Sequence, residues 1–202
     1  MNNYSFYMKR VFIIHGWDSN NKDCWFPWLK NELEKNNFKV EVPNMPNSKK
    51  PEIKPWIDTI SKLVDIPNEN TYFVGHSVGC QAILRYLETI NRDIKINSII
   101  LVAPWMHLDE ETIREEGPES VAIAKPWIET PIDFKKVLSH INNKTVCLFS
   151  KDDPFIPLSD SKLFEKGLNA NIIIENNKGH FSGAENILEL PVVLKELLKL
   201  SR

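Results

Sequence analysis

Six short apolar runs recur along this chain, with helix-spaced apolar residues between them. The runs span residues 10–15, 38–42, 71–76, 96–103, 144–150 and 171–175. Four of them are almost continuously apolar, which is typical of strands covered on both faces in a parallel sheet. Strand and helix alternate throughout, so the pattern predicts an open α/β sheet with helices on both faces.

The segments between these runs repeat apolar residues at intervals of three or four, which predicts amphipathic helices. The repeating residues are Trp25, Leu29 and Leu33; Ile57, Ile60 and Val64; Ala82, Ile83, Tyr86, Leu87 and Ile90; and Val193, Leu194, Leu197 and Leu198. A proline-rich loop covers residues 42–56, and Pro55 suits the first position of the helix that follows.

The length of 202 residues and the 42% hydrophobic content suit one α/β domain with its own core, spanning residues 1–202. Residues 1–8 are expected to be a loose N-terminal extension. The segment of residues 104–132, between the fourth and fifth runs, is too long for a plain connection between two strands. We therefore expect it to form a small cap over the edge of the sheet.

The charge of the chain indicates which partners to expect, and its cysteines indicate the cellular compartment. The net charge is -2 and the lysines are spread along the chain, which indicates neither a nucleic-acid nor a membrane surface. The first residues lack a signal-peptide pattern, and no stretch approaches the roughly 20 apolar residues of a membrane span. Cys24, Cys80 and Cys147 are widely spaced, and we expect reduced thiols in a cytoplasmic protein.

The pentapeptide Gly75-His76-Ser77-Val78-Gly79 lies between a predicted strand and a predicted helix. Its glycines allow a tight strand-to-helix turn, where larger side chains would collide with the strand and the helix. Such a turn exposes the serine hydroxyl at the carboxyl end of the sheet, where open α/β sheets bind ligands. The alternative is a structural turn whose serine only caps the helix.

A serine nucleophile needs a base, and the base needs an orienting acid. In this architecture they follow in the order Ser, Asp, His, each at the end of a later strand. The fifth run leads into Asp152 and Asp153, and the sixth leads into His180. The Asp-x-x-Ile-Pro spacing favours Asp153 as the acid, with Asp152 as an alternative. A further alternative is an aspartate-rich turn that only caps the helix starting near Leu158.

His180 is the predicted base because the other four histidines suit other positions. His15 suits a loop brace, and the side chain of His76 should point away from the adjacent serine. His107 and His140 suit solvent-exposed positions. No histidines or cysteines have the spacing of a metal site, so we expect neither a metal nor another cofactor.

Two backbone N–H groups are candidates for an oxyanion hole. Val78 starts the helix after the serine, and Trp17 follows the His-Gly pair that ends the first run. Gly16 leaves room for this loop to approach the serine. The alternative for Trp17 is an exposed ring beside a glycine turn.

These motifs resemble the small serine hydrolases grouped with retinoblastoma-binding protein nine and the bacterial YdeN proteins, within the α/β-hydrolase superfamily. From residue 8 onward the chain carries IIHGW, WFPWLKNEL, MPN, VGHSVGC, LVAPW, SKDDPFIP and KGHF in that family's order. The resemblance implies a compact α/β-hydrolase fold, a six-stranded, mostly parallel sheet, a minimal cap, and the triad Ser77, Asp153 and His180. No cysteine lies in a Leu-x-Cys-x-Glu motif, so retinoblastoma-type binding is not expected.

The residues therefore predict a serine hydrolase, and more specifically a carboxylesterase that forms an acyl-enzyme on Ser77. Its substrate would be a small-molecule ester or amide. One alternative is a peptidase, amidase or thioesterase with the same triad, and another is a binding protein that only keeps the fold. Trp105, Met106, Phe155 and Phe181 follow the predicted catalytic strands, where they form either an acyl pocket or part of the core.

We expect Ser77→Ala and His180→Ala each to lower kcat for a p-nitrophenyl ester by at least about 10³-fold, since they remove the nucleophile and the base. Both variants should remain folded by circular dichroism, because neither side chain is predicted to be central to the core. Near-normal turnover in His180→Ala would show that the base is assigned wrongly.

Overall fold

The six predicted strands form one parallel sheet in the computed structural model, which describes residues 8–202. The strands are β1 (Arg10–Ile14), β2 (Lys39–Glu41), β3 (Thr71–His76), β4 (Ser98–Val102), β5 (Thr145–Ser150) and β6 (Asn171–Glu175). Their order is β2-β1-β3-β4-β5-β6, and each neighbouring pair is parallel. The strand prediction is confirmed. Residues 1–7 of the predicted N-terminal extension lie outside the described residues.

Eight helices lie between and after these strands in the described residues, and six of them fall into two contacting groups. They are α1 (Phe26–Lys35), α2 (Ile53–Val64), α3 (Val78–Leu87), α4 (Glu110–Glu115), α5 (Pro118–Glu129), α6 (Phe134–Leu138), α7 (Asp160–Leu168) and α8 (Pro191–Leu200). Helix α1 contacts α8, whereas α2 contacts α3, α3 contacts α6, and α6 contacts α7. Both groups contact strands of the sheet, as the predicted helices on its two faces require.

Helix α2 begins at Ile53, two residues before the predicted start at Pro55. The difference has a simple cause, because N–H groups of the first helical turn have no acceptor within the helix. A proline at the third position therefore loses no hydrogen bond and does not have to mark the first residue.

Helix α3 and strands β3, β4 and β5 are buried along their whole lengths. Two polar side chains inside α3 connect it to residues 104–132, the segment that contains α4 and α5. Gln81 Nε2 donates to the Trp105 carbonyl at 3.1 Å. Arg85 donates to the carbonyls of Trp127 at 2.9 Å and Thr130 at 2.8 Å. The predicted cap segment is therefore fixed to the helix that follows Ser77.

The prediction that His140 is solvent-exposed is wrong, because its side chain is fully buried. Its Nδ1–H donates to the Ile94 carbonyl at 2.9 Å, and its own carbonyl accepts from Ile96 N–H at 2.8 Å. The residue thus joins the chain before β4 to the chain before β5. These contacts are long-range and left no local signal in the sequence.

The three cysteines are free thiols, as expected. Cys80 and Cys147 are fully buried, and Cys24 is partly buried. Burial raises the pKa of each, to about 12 for Cys24, so the thiols stay protonated near neutral pH.

Gly79→Ala tests the close contact between α3 and β1. A Cβ at Gly79 would lie 2.4 Å from the Ile14 oxygen and 2.5 Å from the His15 oxygen, and neither backbone atom can move freely. We expect the free energy of unfolding to fall by about 3 kcal/mol, the upper end of the usual cost of overpacking.

Gly183→Ala is the matched control, because the nearest atom to a new Cβ there is Cys24 N at 4.0 Å. Its unfolding free energy, measured by urea denaturation, should change by no more than about 0.5 kcal/mol. Equal stability of the two variants would contradict the close contact at Gly79.

Candidate functional site

Ser77 lies in a strained turn between β3 and α3. Its backbone has φ 52° and ψ -124°, a positive φ that side-chain-bearing residues seldom adopt. The N–H of Ser77 donates to the Val102 carbonyl at 2.9 Å, which fastens the turn to the end of β4. The side chain makes no capping hydrogen bond to α3, so the alternative of a simple helix-capping serine is wrong.

The two flanking glycines have the steric role that the sequence predicts. A Cβ on Gly75 would lie 2.8 Å from Cys80 Cα, inside the following helix. A Cβ on Gly79 would strike the carbonyl oxygens at the end of β1. The turn therefore closes only because both positions lack a side chain.

His180 and Asp153 come together at the carboxyl ends of β6 and β5. The His180 Nδ1–H donates to Asp153 Oδ2 at 2.9 Å and lies 3.2 Å from Oδ1. The Asp153 carboxylate is 3% exposed and also accepts from the N–H groups of Phe155 and Ile156 at 2.9 and 3.2 Å. Because Nδ1 carries the proton, the neutral imidazole has its lone pair on Nε2, the atom a general base would use.

Asp152 has a different position from its neighbour. Its carboxylate is exposed and accepts from Ser150 Oγ at 2.6 Å and from the N–H groups of Lys178 and Gly179 at 3.3 Å. The Ser150 hydrogen bond lowers the pKa of Asp152. Asp152 thus holds the backbone of the histidine loop, while Asp153 contacts the imidazole. Neither aspartate caps α7, because the N-cap of that helix is Ser159.

The serine turn and the histidine loop meet through His76. As expected, its ring does not take the position of a base for the serine. Instead its Nε2–H donates to the His180 carbonyl at 2.8 Å, with the two ring centroids 5.1 Å apart. Within residues 8–202, no hydrogen bond joins Ser77 Oγ to His180, so the serine–histidine link stays a prediction. Such hydrogen bonds often form only when substrate is bound.

The loop after β1 approaches the serine at Gly16. A Cβ there would lie 3.3 Å from Ser77 Cβ, so the missing side chain leaves room beside the hydroxyl. Trp17 is partly exposed, and its Nε1–H donates to the Lys49 carbonyl at 2.9 Å, which holds the loop. Val78 is the first residue of α3, where an N–H has no acceptor inside the helix. Oxyanion binding by Trp17 and Val78 remains a prediction.

The four predicted pocket residues divide into two pairs. Trp105 is 2% exposed and Phe181 is fully buried, so both belong to the core. Met106 and Phe155 are partly exposed, and the Phe155 ring lies edge-on to the His180 ring with centroids 5.2 Å apart. Only this second pair remains available to contact a substrate.

Asp160 fixes the loop that carries Met106, a role the sequence did not reveal. Its buried carboxylate accepts from the N–H groups of Met106 and His107 at 2.6 and 2.8 Å, and from the exposed His107 ring at 2.8 Å. An acidic residue in a first helical turn is common for other reasons, so no signal marked it.

A groove of about 640 Å³ lies between α5, α6 and α7. Met106 is the only predicted pocket residue in its wall, and the wall includes none of Ser77, Asp153 and His180. The groove is therefore not the predicted acyl pocket. Among residues 8–202, no cluster of three or more His, Cys, Asp or Glu side chains is placed to hold a metal. In the same range, no helix is long and apolar enough to cross a bilayer.

Comparison with known proteins identifies the family and the fold of this chain. A family model described as serine hydrolase matches residues 11–199. YdeN of Bacillus subtilis (strain 168) is 32% identical over 185 residues, 92% of each chain, and the serine hydrolase RBBP9 of Rattus norvegicus is 28% identical over 176 residues, 86% of each. The YdeN crystal structure superposes with a TM-score of 0.84 over 96% of this chain and 98% of that one. Est1E from Butyrivibrio proteoclasticus, 16% identical, shares the fold with a TM-score of 0.69 over 96% of this chain and 88% of that one.

Asn substitutions distinguish the two aspartates. We expect Asp153→Asn to lower kcat for ester hydrolysis by about 10³- to 10⁴-fold, because an amide no longer selects the productive imidazole tautomer. Asp152→Asn is the matched control, since its amide oxygen can still accept the hydrogen bonds from Ser150 and Lys178, and it should lose less than about tenfold. An equal loss in both variants would contradict the distinction between them.

Proposed function

Because the chain belongs to the serine hydrolase family, we propose that it is a carboxylesterase that cleaves small acyl esters through an acyl-enzyme on Ser77. The observation that carries this proposal is the 2.9 Å hydrogen bond from His180 Nδ1 to Asp153, at the sheet edge where Ser77 occupies its strained turn. It leaves the imidazole with a free Nε2 lone pair, as a base requires.

In the acylation step, Ser77 Oγ attacks the ester carbonyl carbon while His180 Nε2 takes the hydroxyl proton. Asp153 stabilises the imidazolium that results. The tetrahedral intermediate then breaks its bond to the alcohol oxygen, and His180 returns the proton to that oxygen. The products of this step are the free alcohol and an acyl group bound to Ser77.

In the deacylation step, His180 takes a proton from water, and the resulting hydroxide attacks the acyl carbon. The bond to Ser77 Oγ breaks, and His180 returns the proton to the serine. The acid is released and the enzyme is restored, so the cycle consumes one water and needs no cofactor.

The oxyanion of each intermediate would accept hydrogen bonds from the N–H groups of Val78 and Trp17. A donor of this kind contributes about 3 kcal/mol to the stability of the transition state in comparable enzymes. Two features support these donors. Val78 begins a helix, and the absence of a side chain at Gly16 lets the loop that carries Trp17 approach Ser77.

The acyl group would contact Met106 and Phe155. Phe155 already packs against His180, and Asp160 fixes the backbone of Met106, so these walls are held in place before substrate arrives. Residues 104–132, the proposed cap, contain two helices, α4 of 6 residues and α5 of 12 residues. A small cap favours a shallow site and therefore short acyl chains.

A substrate panel tests this function. We expect kcat/KM for p-nitrophenyl acetate and butyrate to exceed that for the octanoate by about tenfold, and that for an aminoacyl p-nitroanilide by about 100-fold. Ser77→Ala measured in parallel subtracts hydrolysis that does not depend on the site.

A higher rate on the anilide would favour a peptidase instead. A folded protein that turns over none of these substrates would favour a binding role for the same fold.

A further inference from the structure

His180 lies in a turn whose backbone is unusual on both sides. Gly179 has φ 49° and Phe181 has φ 55°, so the residue after the predicted base is a side-chain-bearing residue in the left-handed region. The Phe181 N–H donates to the Lys178 carbonyl at 2.8 Å, which closes the turn. A conformation that the chain disfavours persists only where its surroundings hold it.

Two buried ring N–H groups hold successive carbonyls of this turn. His76 Nε2 donates to the His180 oxygen at 2.8 Å, and Trp25 Nε1 donates to the Phe181 oxygen at 3.0 Å. The two donor rings also contact each other edge to face, with centroids 6.0 Å apart. Trp25 is fully buried and His76 is 4% exposed, so water does not compete for these hydrogen bonds.

The His76 ring is well suited to donate from Nε2. A carbonyl oxygen can only accept, so Nε2 carries the proton, and the buried Nδ1 has no partner within residues 8–202. A second proton would create a buried, unpaired cation, and burial accordingly lowers the pKa of His76 to about 3. The ring therefore stays neutral beside His180, where another positive charge would oppose formation of the imidazolium.

We propose that His76 and Trp25 form a clamp on the carbonyls of residues 180 and 181 that positions His180 for proton transfer. The proposal rests on the function proposed above. Asp153 holds one ring nitrogen of His180 and Asp152 holds the N–H groups of the two residues before it, whereas the clamp holds the carbonyls of residues 180 and 181. Misplacement of a reacting group by about 1 Å can cost about 100-fold in rate.

Trp25→Phe and Trp127→Phe form a matched pair that separates positioning from stability. Each substitution removes a buried indole N–H that donates to a backbone carbonyl. The acceptor of the Trp127 Nε1–H is the Pro51 carbonyl at 2.9 Å, which lies outside the catalytic loops. We expect similar losses in melting temperature. Only Trp25→Phe should lower kcat for p-nitrophenyl butyrate, by about tenfold or more with KM within about twofold.

His76→Leu and His76→Gln test the other half of the clamp. Leucine removes the donor and should lower kcat by about 10- to 100-fold. The Gln side-chain amide can donate to the same carbonyl, so it should recover most of that loss. If Trp25→Phe and His76→Leu are folded and turn over substrate no more slowly than Trp127→Phe, the proposal is wrong.

Hydrogen–deuterium exchange gives a readout that does not depend on turnover. Trp25→Phe and His76→Leu should speed exchange in residues 178–182, and Trp127→Phe should not. Unchanged exchange in that loop would overturn the clamp even if the protein is an esterase. If the wild-type protein has no esterase activity but Trp25→Phe and His76→Leu still exchange faster in this loop, the clamp is supported as a loop restraint and the proposed function is rejected.

Discussion

The left-handed backbone at Ser77 is the constraint on which the rest of the site depends. A residue with a side chain in such a conformation is destabilised by about 1–3 kcal/mol. The offsetting stability comes from the packing around it, because α3 is buried along its whole length directly after the turn. Gly75 and Gly79 permit this packing, since a Cβ at either position would overlap backbone atoms of α3 or β1. The packing of the core thus holds the serine at the carboxyl end of the sheet.

Parallel strands bring the remaining groups to the same edge. Asp153 follows β5 and His180 follows β6, and neighbouring parallel strands end side by side. The two adjacent aspartates bind different parts of the histidine loop. Asp152 accepts hydrogen bonds from its backbone, and Asp153 accepts one from the imidazole. The ring donors of His76 and Trp25 bind the carbonyls of residues 180 and 181, so side chains from several segments hold the turn that carries His180.

The sequence predicted the parts of this arrangement that have a local signal. Apolar runs located all six strands, glycine spacing located the serine turn, and the Asp-x-x-Ile-Pro spacing pointed to Asp153. It could not reveal contacts between distant segments. His76 meets residue 180 across 104 positions, and Trp25 meets residue 181 across 156. The burial of His140 and the core positions of Trp105 and Phe181 depend on similar long-range packing, as does the loop contact of Asp160.

Peptide mapping after reaction with a fluorophosphonate probe tests most directly whether the strained turn presents a nucleophile. A serine that a neighbouring base activates reacts with such a probe, whereas ordinary hydroxyls do not. We predict one phosphonyl group per chain, located on Ser77. A folded protein that acquires no adduct, or that carries it on another residue, would contradict the central claim.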